Sequence, residues 1–411
     1  MADHARSDDA AVQAQLDRFA QLSPGRDILG LERTTELLDH LGNPQDRLPP
    51  VFHVAGTNGK GSTCAFLRAC VEAAGMTAHV YTSPHLVRFN ERIRIAGKLI
   101  EDEALAPLLR EVLDVAEAHD IGPSFFEATT AAAFLAFSRT SADACVVEVG
   151  LGGRLDATNV IARPIVCGVA QLGVDHQAFL GETLAHMATE KAGIAKRGVP
   201  LVVLGQASEA MDEIAKVAAR QGAPMLSEGR DWQVDQMLQP SLAGAHQLRN
   251  ASLAAAMLRV TRFVSDEAIY AGVASTRWPA RLQCLSPGPL TDLLMPGSTL
   301  VVDGAHNPAA AQALAAALST TPRHLIVGIL ANKEADNIVA TLAPGALSLT
   351  FIEVPHHASA DVEALASRWK GRVAPDLEAA LAAFTSRSDV LIIGSLYLAG
   401  EALRLNRQLP D

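Results

Sequence analysis

From Pro50 to about Thr261, short apolar runs alternate with amphipathic segments, the pattern expected of βα units around a parallel sheet. Residues 51–55 read as a strand, 56–61 as a glycine-rich turn, and 62–74 as a helix. Phe66, Ala69, Cys70 and Ala73 share one face of that helix before Gly75 ends it. Further strands are predicted at 78–81, 144–149, 165–172 and 201–204. The run 286–297 gathers Pro287, Pro289 and Pro296 with Gly288 and Gly297, and reads as a linker. Beyond it, strands at 299–302, 324–329, 349–354 and 390–393 are separated by alanine-rich helical stretches. The expected fold class is therefore α/β, with a large first domain at 1–285, a linker at 286–298 and a smaller second α/β domain at 299–411.

Composition narrows the functional classes. Of 411 residues, 49% are hydrophobic and 19% charged, a balance that builds large cores and excludes a disordered chain. The formal charge of −11 repels nucleic acid and anionic membranes on average, so an anionic ligand must be held by local groups or a metal. Cys64, Cys70, Cys145, Cys167 and Cys284 have no CxxC spacing and read as buried thiols of a reducing compartment. The first twenty residues carry four acids and no apolar core, unlike a secretory signal, and no later stretch has 18 uninterrupted apolar residues. A cytoplasmic protein is expected.

Candidate chemistry gathers at the ends of the predicted strands. Gly56, Thr57, Asn58, Gly59, Lys60, Gly61 and Ser62 lie between a strand and a helix. Glycines there let backbone N–H groups curl around phosphate oxygens, and the helix N-terminus adds positive potential. Lys60 reaches the terminal phosphates, and Ser62 or its neighbour can face a metal. The spacing departs from G-x-x-x-x-G-K-[ST], because only two residues separate Gly56 from Gly59-Lys60 and an extra Gly61 precedes Ser62. Strand before, helix after and a lysine within favour a nucleotide phosphate site over a bare glycine turn.

Ligands of doubly wound sheets gather beyond the carboxyl ends of the strands. Those ends carry Ser83, then Glu148 followed by Arg154 and Asp156, then Asp175 and His176. A hydroxyl, a carboxylate and an imidazole would thereby converge on the phosphate loop, where the Mg²⁺ of ATP takes one or two protein oxygens. Each has a bland alternative: Glu148 can cap a helix or pair with Arg154, and Asp175-His176 can be a structural hydrogen bond. Leu184, Met187, Ala188 and Lys191 fall at i, i+3, i+4 and i+7, which sets Lys191 on an apolar stripe. It is either a snorkelling lysine or a functional one near the metal. In the second domain, strand 299–302 runs into Asp303, Gly304, Ala305 and His306; Asp303 either caps the next helix or walls a nucleotide site.

Taken in order, nine segments resemble the folylpolyglutamate synthase and dihydrofolate synthase family of the Mur ligase superfamily. They are GLER at 30–33, GTNGKGS at 56–62, YTSPHL at 81–86, SFFEATT at 124–130 and EVGLGGRLDATN at 148–159. GVDHQAFLGETLAHMATEKAGI at 173–194, HQLRNAS at 246–252, WPARLQ at 278–283 and DGAHNP at 303–308 complete the set. The resemblance implies an ATP-dependent amide ligase with an N-terminal P-loop domain over a parallel sheet, a C-terminal Rossmann-like domain, and the active site between them. By matching, Lys60 and its loop bind the ATP phosphates, Ser83, Glu148 and His176 serve Mg²⁺, and Asn250, Arg281 and Asp303 contact the nucleotide with His306 beside them. Lys191 matches a lysine that the superfamily carbamylates, and Leu31, Glu32, Phe126, Glu127, Arg154 and Asp156 fall on the substrate side.

The implied reaction transfers the γ-phosphoryl group of ATP to a substrate carboxylate, after which the amine of L-glutamate displaces phosphate from the acyl phosphate. The expected substrates are dihydropteroate and reduced folates. No nucleic acid or membrane partner is expected, and the chain should act as a monomer. The alternatives are a folylpolyglutamate synthase alone, another Mur-type amide ligase, or a P-loop switch whose ATP turnover does not need glutamate.

Overall fold

The computed structural model describes residues 7–22, 29–175, 177–318 and 323–411. Its contacts divide the chain into two compact units, Met1–Ser241 with Gln247–Thr276, and Leu242–His246 with Arg277–Asp411.

Among the described residues, the first unit holds one sheet of eight strands: β1 (Val51–Ala55), β2 (Ala78–Tyr81), β3 (Ile93–Ile95), β4 (Lys98–Leu99), β5 (Ala144–Glu148), β6 (Val166–Val169), β7 (Leu201–Val203) and β8 (Met225–Ser227). Their order is β4-β3-β2-β5-β1-β6-β7-β8. From β2 to β8 across the sheet all neighbours are parallel, while β3 and β4 pair antiparallel at one edge. The central strands β1 and β5 are buried along their whole length, which is why they read as continuous apolar runs rather than alternations. The chain leaves β1 toward β2 on one side, and later crosses from β5 over β1 to β6 on the other. The carboxyl end of β1 is thus the point where the winding reverses, the usual position of a ligand crevice.

No element was expected between residues 82 and 143, yet this stretch supplies the β3–β4 hairpin and the helices Asp102–Ala118 and Phe125–Ser138. The hairpin turns on Ala96 and Gly97, both with positive φ, the geometry of a tight two-residue turn. The two helices build much of one core with Leu105, Leu109, Val112, Phe134 and Phe137. A second core lies against β6 and β7, around Ala188, Ala192, Ile194, Ile214 and Val217. The predicted strand at 165–172 stops at Val169 because Ala170–Gly173 leaves the sheet to meet the phosphate loop.

The second unit holds β9 (Gln283–Cys284), β10 (Thr299–Val302), β11 (Arg323–Val327), β12 (Ala346–Phe351), β13 (Arg372–Val373) and β14 (Asp389–Ile393), ordered β13-β12-β11-β14-β10-β9. All neighbours are parallel except β9 with β10. The strand expected at 349–354 begins earlier, at Ala346, because its first half is only partly buried and carries no apolar run. Residues 286–298 pack inside this unit. Leu290 and Leu294 are buried, and Asn406 accepts from the Leu290 N–H at 3.1 Å and donates to the Ser286 carbonyl at 2.9 Å. No helix among the described residues is long and apolar enough to cross a membrane.

Candidate active site

The expected phosphate loop follows β1 directly. Gly56 has φ +154°, and a Cβ there would stand 2.9 Å from the Ala170 Cβ. The N–H groups of Thr57 and Asn58 both donate to the Gln171 carbonyl, at 2.9 and 3.0 Å, and Thr57 Oγ1 donates to the Gly173 carbonyl at 2.9 Å. The start of the loop is therefore sewn to the segment leaving β6. Gly59 occupies the left-handed region at φ +83°, and a Cβ there would lie 2.4 Å from Asn250 Oδ1, a double reason for glycine. The Lys60–Ala73 helix then begins with no side-chain cap, so the N–H groups of its first turn lack intrahelical acceptors and carry the positive end of the helix dipole. Ser62 Oγ is buried in this turn without a hydrogen-bond partner, and Lys60 Nζ donates only weakly to the Thr57 carbonyl, at 3.4 Å.

The neighbouring strand ends bring their polar groups to the same region. Glu148 closes β5 and is 5% exposed, and the Ser83 N–H donates to its Oε2 at 3.2 Å. The charges of both Glu148 and Lys60 act on the buried Cys64 thiol, whose pKa burial pushes well up. Lys191 is buried on the Leu184–Ala192 helix, which Thr183 caps. Burial is the main cause that lowers its pKa to about 7, and the charge of Lys60 adds to the effect, while Asp175, Asp156 and Glu190 oppose it. The charge of Lys60 thus acts both on Lys191 and, together with Glu148, on Cys64. His176, expected beside them, lies outside the described residues.

The residues expected on the substrate side are drawn into internal bonds. Glu127 caps its own helix with Ser124, whose N–H donates to Oε2 at 2.6 Å, and it receives Arg33 at both oxygens, at 2.9 and 3.1 Å. Phe126 lies over the backbone of Gly150, where a Cβ would meet its ring at 2.4 Å, and its ring centroid is 5.8 Å from that of Tyr81. Leu31 takes the N-cap position of the helix Glu32–His40, and Glu32 stands exposed in the first turn. Asp156 is buried, accepting from the N–H groups of Leu151 at 2.8 Å and Thr158 at 3.0 Å and from the Thr158 hydroxyl, with burial raising its pKa. Arg154, half exposed, donates from Nε and Nη2 to Glu190 Oε1 at 3.0 and 2.9 Å. Its partner is Glu190 and not Glu148.

In the second unit, Asp303 does not cap the helix Pro308–Ala317; Asn307 does, accepting from the Ala310 N–H. Asp303 instead accepts from the N–H groups of Leu282 and Ala305 at 2.8 and 2.9 Å. Burial raises its pKa, against the opposing charge of Arg281. Arg281 Nη1 donates to the Ala280 carbonyl and lies 2.9 Å from where a Gly304 Cβ would stand. His306 Nδ1 contacts the Gly304 carbonyl at 2.9 Å; a carbonyl only accepts, so the ring proton sits on Nδ1 and Nε2 is the basic nitrogen. Sequence reasoning gave no role to His85, which the segment at 81–86 contains, and missed Arg92. Arg92 is fully buried over the rings of Phe89 and Phe125 and donates from Nε to His85 Nδ1 at 2.9 Å.

The chemistry fits a nucleotide and a hard cation. A crowded left-handed glycine, an uncapped helix start and an orphaned buried hydroxyl make a phosphate cradle, and Glu148, Ser62 and Ser83 are oxygen donors of the kind that Mg²⁺ takes. Comparison with known proteins agrees. Residues 293–396 match the family described as Mur ligase, glutamate ligase domain. The folylpolyglutamate synthase of Lacticaseibacillus casei is 35% identical over 406 residues, 89% of this chain and 92% of that protein. The Escherichia coli FolC protein in complex with DHPP and ADP superposes with a TM-score of 0.86 at 31% identity, covering 96% of this chain and 97% of the other. A bifunctional folylpolyglutamate synthase/dihydrofolate synthase from Yersinia pestis, complexed with AMPPNP and a Mn ion, gives a TM-score of 0.84 at 29% identity, with 96% and 97% covered. Sequence, fold and cradle converge, and the chain belongs to the folylpolyglutamate synthase/dihydrofolate synthase family of Mur ligases.

Proposed function

We propose that the protein is an ATP-dependent ligase that joins L-glutamate to dihydropteroate and to reduced folates. The observation that carries this reading is the cradle itself: Gly59 close against Asn250, an uncapped helix start at Lys60, and the charge of Lys60 acting on Lys191 and, with Glu148, on Cys64. The names of the relatives supply both substrate classes.

A carboxylate is a poor electrophile, so the γ-phosphoryl group is first transferred to it. Positioning and charge neutralisation are what that transfer needs from protein groups. Lys60 and the first-turn N–H groups bind the phosphates, with Gly56, Thr57, Asn58, Gly59, Gly61 and Ser62 shaping the cradle and Asn250, Arg281 and Asp303 assigned to the nucleotide. Ser83, Glu148, His176 and a carbamylated Lys191 would hold Mg²⁺, which when bound neutralises charge spreading over the phosphoryl oxygens. The glutamate amine then attacks the acyl carbon, and His306 is suited to take its proton because Nε2 is its basic nitrogen. Leu31, Glu32, Phe126, Glu127, Arg154 and Asp156 line or shape the pteridine side. The first unit serves as the ATP-binding domain and the second as the ligase domain. The enzyme works as a monomer on small molecules in the cytoplasm; the five free thiols fit a reducing compartment, and the charge of −11 disfavours nucleic acid and anionic membranes as partners.

The test is phosphate release by purified protein with ATP, Mg²⁺ and L-glutamate, given dihydropteroate or a reduced monoglutamyl folate. Both should support turnover, and neither should do so without glutamate. Silence with dihydropteroate beside turnover of the folate would reduce the activity to folylpolyglutamate synthesis, and turnover without glutamate would replace the ligase by an ATPase switch.

A further inference from the structure

The Ala245–Thr261 helix carries Asn250 onto Gly59, but the residue before it makes the wider set of contacts. Arg249 spreads across the carboxyl ends of three strands. Its Nη1 donates to Gln171 Oε1 at 2.8 Å beyond β6. Its Nη2 donates to the Gly205 carbonyl at 2.9 Å beyond β7 and to Glu228 Oε2 at 2.6 Å beyond β8, and Nε reaches Glu228 Oε1 at 3.3 Å. The Gly205 N–H donates to the same carboxylate at 2.6 Å. A Cβ on Gly205 would lie 3.2 Å from Glu228 Oε2 and 3.6 Å from Arg249 Nη2, so the ion pair is seated against bare backbone.

Gln171 connects this cluster to the nucleotide site. Its backbone carbonyl is the acceptor for both Thr57 and Asn58, the first turn of the phosphate loop. Its side chain is gripped at both ends: Oε1 by Arg249, and Nε2 by Gln206 Oε1 at 2.9 Å. Gln206 in turn is fixed by donating to the carbonyls of Ala170 and Leu204. The same Gln206 Oε1 also accepts from the Leu172 N–H at 3.0 Å, so the peptide plane that carries the Gln171 carbonyl is tied to the clamped side chain through one shared acceptor.

We propose that Arg249 is a positioning residue for the phosphate loop, acting through Gln171 to hold the Thr57–Asn58 turn in its phosphate-binding shape. Consecutive residues of one helix then meet both ends of the loop, Asn250 by close approach to Gly59 and Arg249, by relay, at Thr57 and Asn58. The ion pair with Glu228, at side-chain exposures of 35% and 15%, adds little stability of its own. The planar fork matters because it spans Gln171, Gly205 and Glu228 together. A lysine offers a single ammonium and satisfies Glu228 without reaching all three.

The inference rests on the nucleotide reading of the loop, and the experiment separates the two. Binding of AMPPNP with Mg²⁺ is measured by calorimetry on the full-length wild type, Arg249→Lys, Gln171→Met and the double variant, alongside ATP turnover kinetics. Each single variant should weaken AMPPNP binding and raise KM for ATP by roughly 2- to 30-fold, the range produced by side chains acting through a contact network. The kcat and the KM for folate should stay near wild type, and the double variant should lose no more than the worse single variant, because both residues act on one route. If the wild type fails to bind AMPPNP, the nucleotide reading falls and this proposal with it. If the wild type binds and folded variants bind equally well, or lose only thermal stability, Arg249 does not position the loop. Additive losses would overturn the relay through Gln171. Should one single variant fail to fold, the other decides by the same affinity criterion.

Discussion

Lys191 offers a quantitative test of how dry the site is. In the folded chain its pKa is lowered to about 7, chiefly by burial, against an ordinary lysine value of 10.5. The unfolded chain therefore binds more protons than the native one across the interval from 7 to 10.5, and stability contributed by this group rises with pH through that window. Below it, both states are protonated and the full penalty of a buried ammonium remains. At 1.36 kcal/mol per pKa unit, the penalty relative to an unperturbed amine is on the order of 4 kcal/mol at pH 7.5. It should shrink by about 2 kcal/mol between pH 7 and pH 9. Lys191→Met keeps the length of the side chain and removes the titration. In urea unfolding without metal or CO₂, the wild type should gain on the variant by that amount over the two pH units, and the variant should be the more stable protein at pH 7. Parallel stability curves would mean that the ammonium reaches water, the snorkelling alternative. The same lowered pKa leaves a large share of neutral amine to react with CO₂, so labelled bicarbonate and Mg²⁺ should give a carbamate carbon signal in the wild type that is missing from Lys191→Met.

Two further substitutions test the cradle. Lys60→Ala should abolish phosphate release with every substrate while the protein stays folded; retention of more than about a tenth of turnover, a loss below ~1.4 kcal/mol of transition-state stabilisation, would remove Lys60 from the phosphate clamp. Gly59→Ala combines a left-handed φ of +83° with a Cβ 2.4 Å from Asn250 Oδ1. The conformation alone costs about 1–2 kcal/mol, so thermal unfolding should show at least that loss with weakened AMPPNP binding, and an unchanged melting curve would refute the close approach.

The sequence revealed what depends on pattern and local chemistry. The strands β1, β2 and β10 lie at their expected residues because they are short apolar runs bounded by turn signals. The strand–turn–helix around Gly59-Lys60, expected to bind phosphate, was legible as geometry, and the burial of Lys191 from its place on an apolar stripe. What stayed hidden depends on partners distant in sequence. Nothing near Arg33 announces Glu127, 94 residues away, and nothing near Arg249 announces Gln171, 78 residues away. The β3–β4 hairpin escaped notice because strands of three and two residues carry no period to read. Family resemblance marked Arg154 and Asp156 as substrate residues, but only the fold reveals that Arg154 already pairs with Glu190 and that Asp156 is wholly buried.

Those bonds belong to the residues expected beside the substrate. Asp156 has Thr158 on Oδ1 and Leu151 on Oδ2, and the Thr158 hydroxyl that donates to it also meets His53 Nε2 at 2.8 Å, within the central strand β1. Because the hydroxyl's proton goes to the carboxylate, the histidine must be the donor in the second bond. Burial keeps that ring neutral by lowering its pKa to about 3. The chain from His53 through Thr158 to Asp156 thus ties the loop after β5 to the strand that carries the phosphate cradle. Glu127 does the same on the facing helix, fastening Ser124 and Arg33 beside Phe126, whose ring rests on Gly150 of that loop. Buried polar networks of this kind are high-stakes, since removing one member leaves the others unsatisfied. The oxygens of these carboxylates already hold the loop and the helix start, so what they fix directly is the shape of the backbone around Gly150.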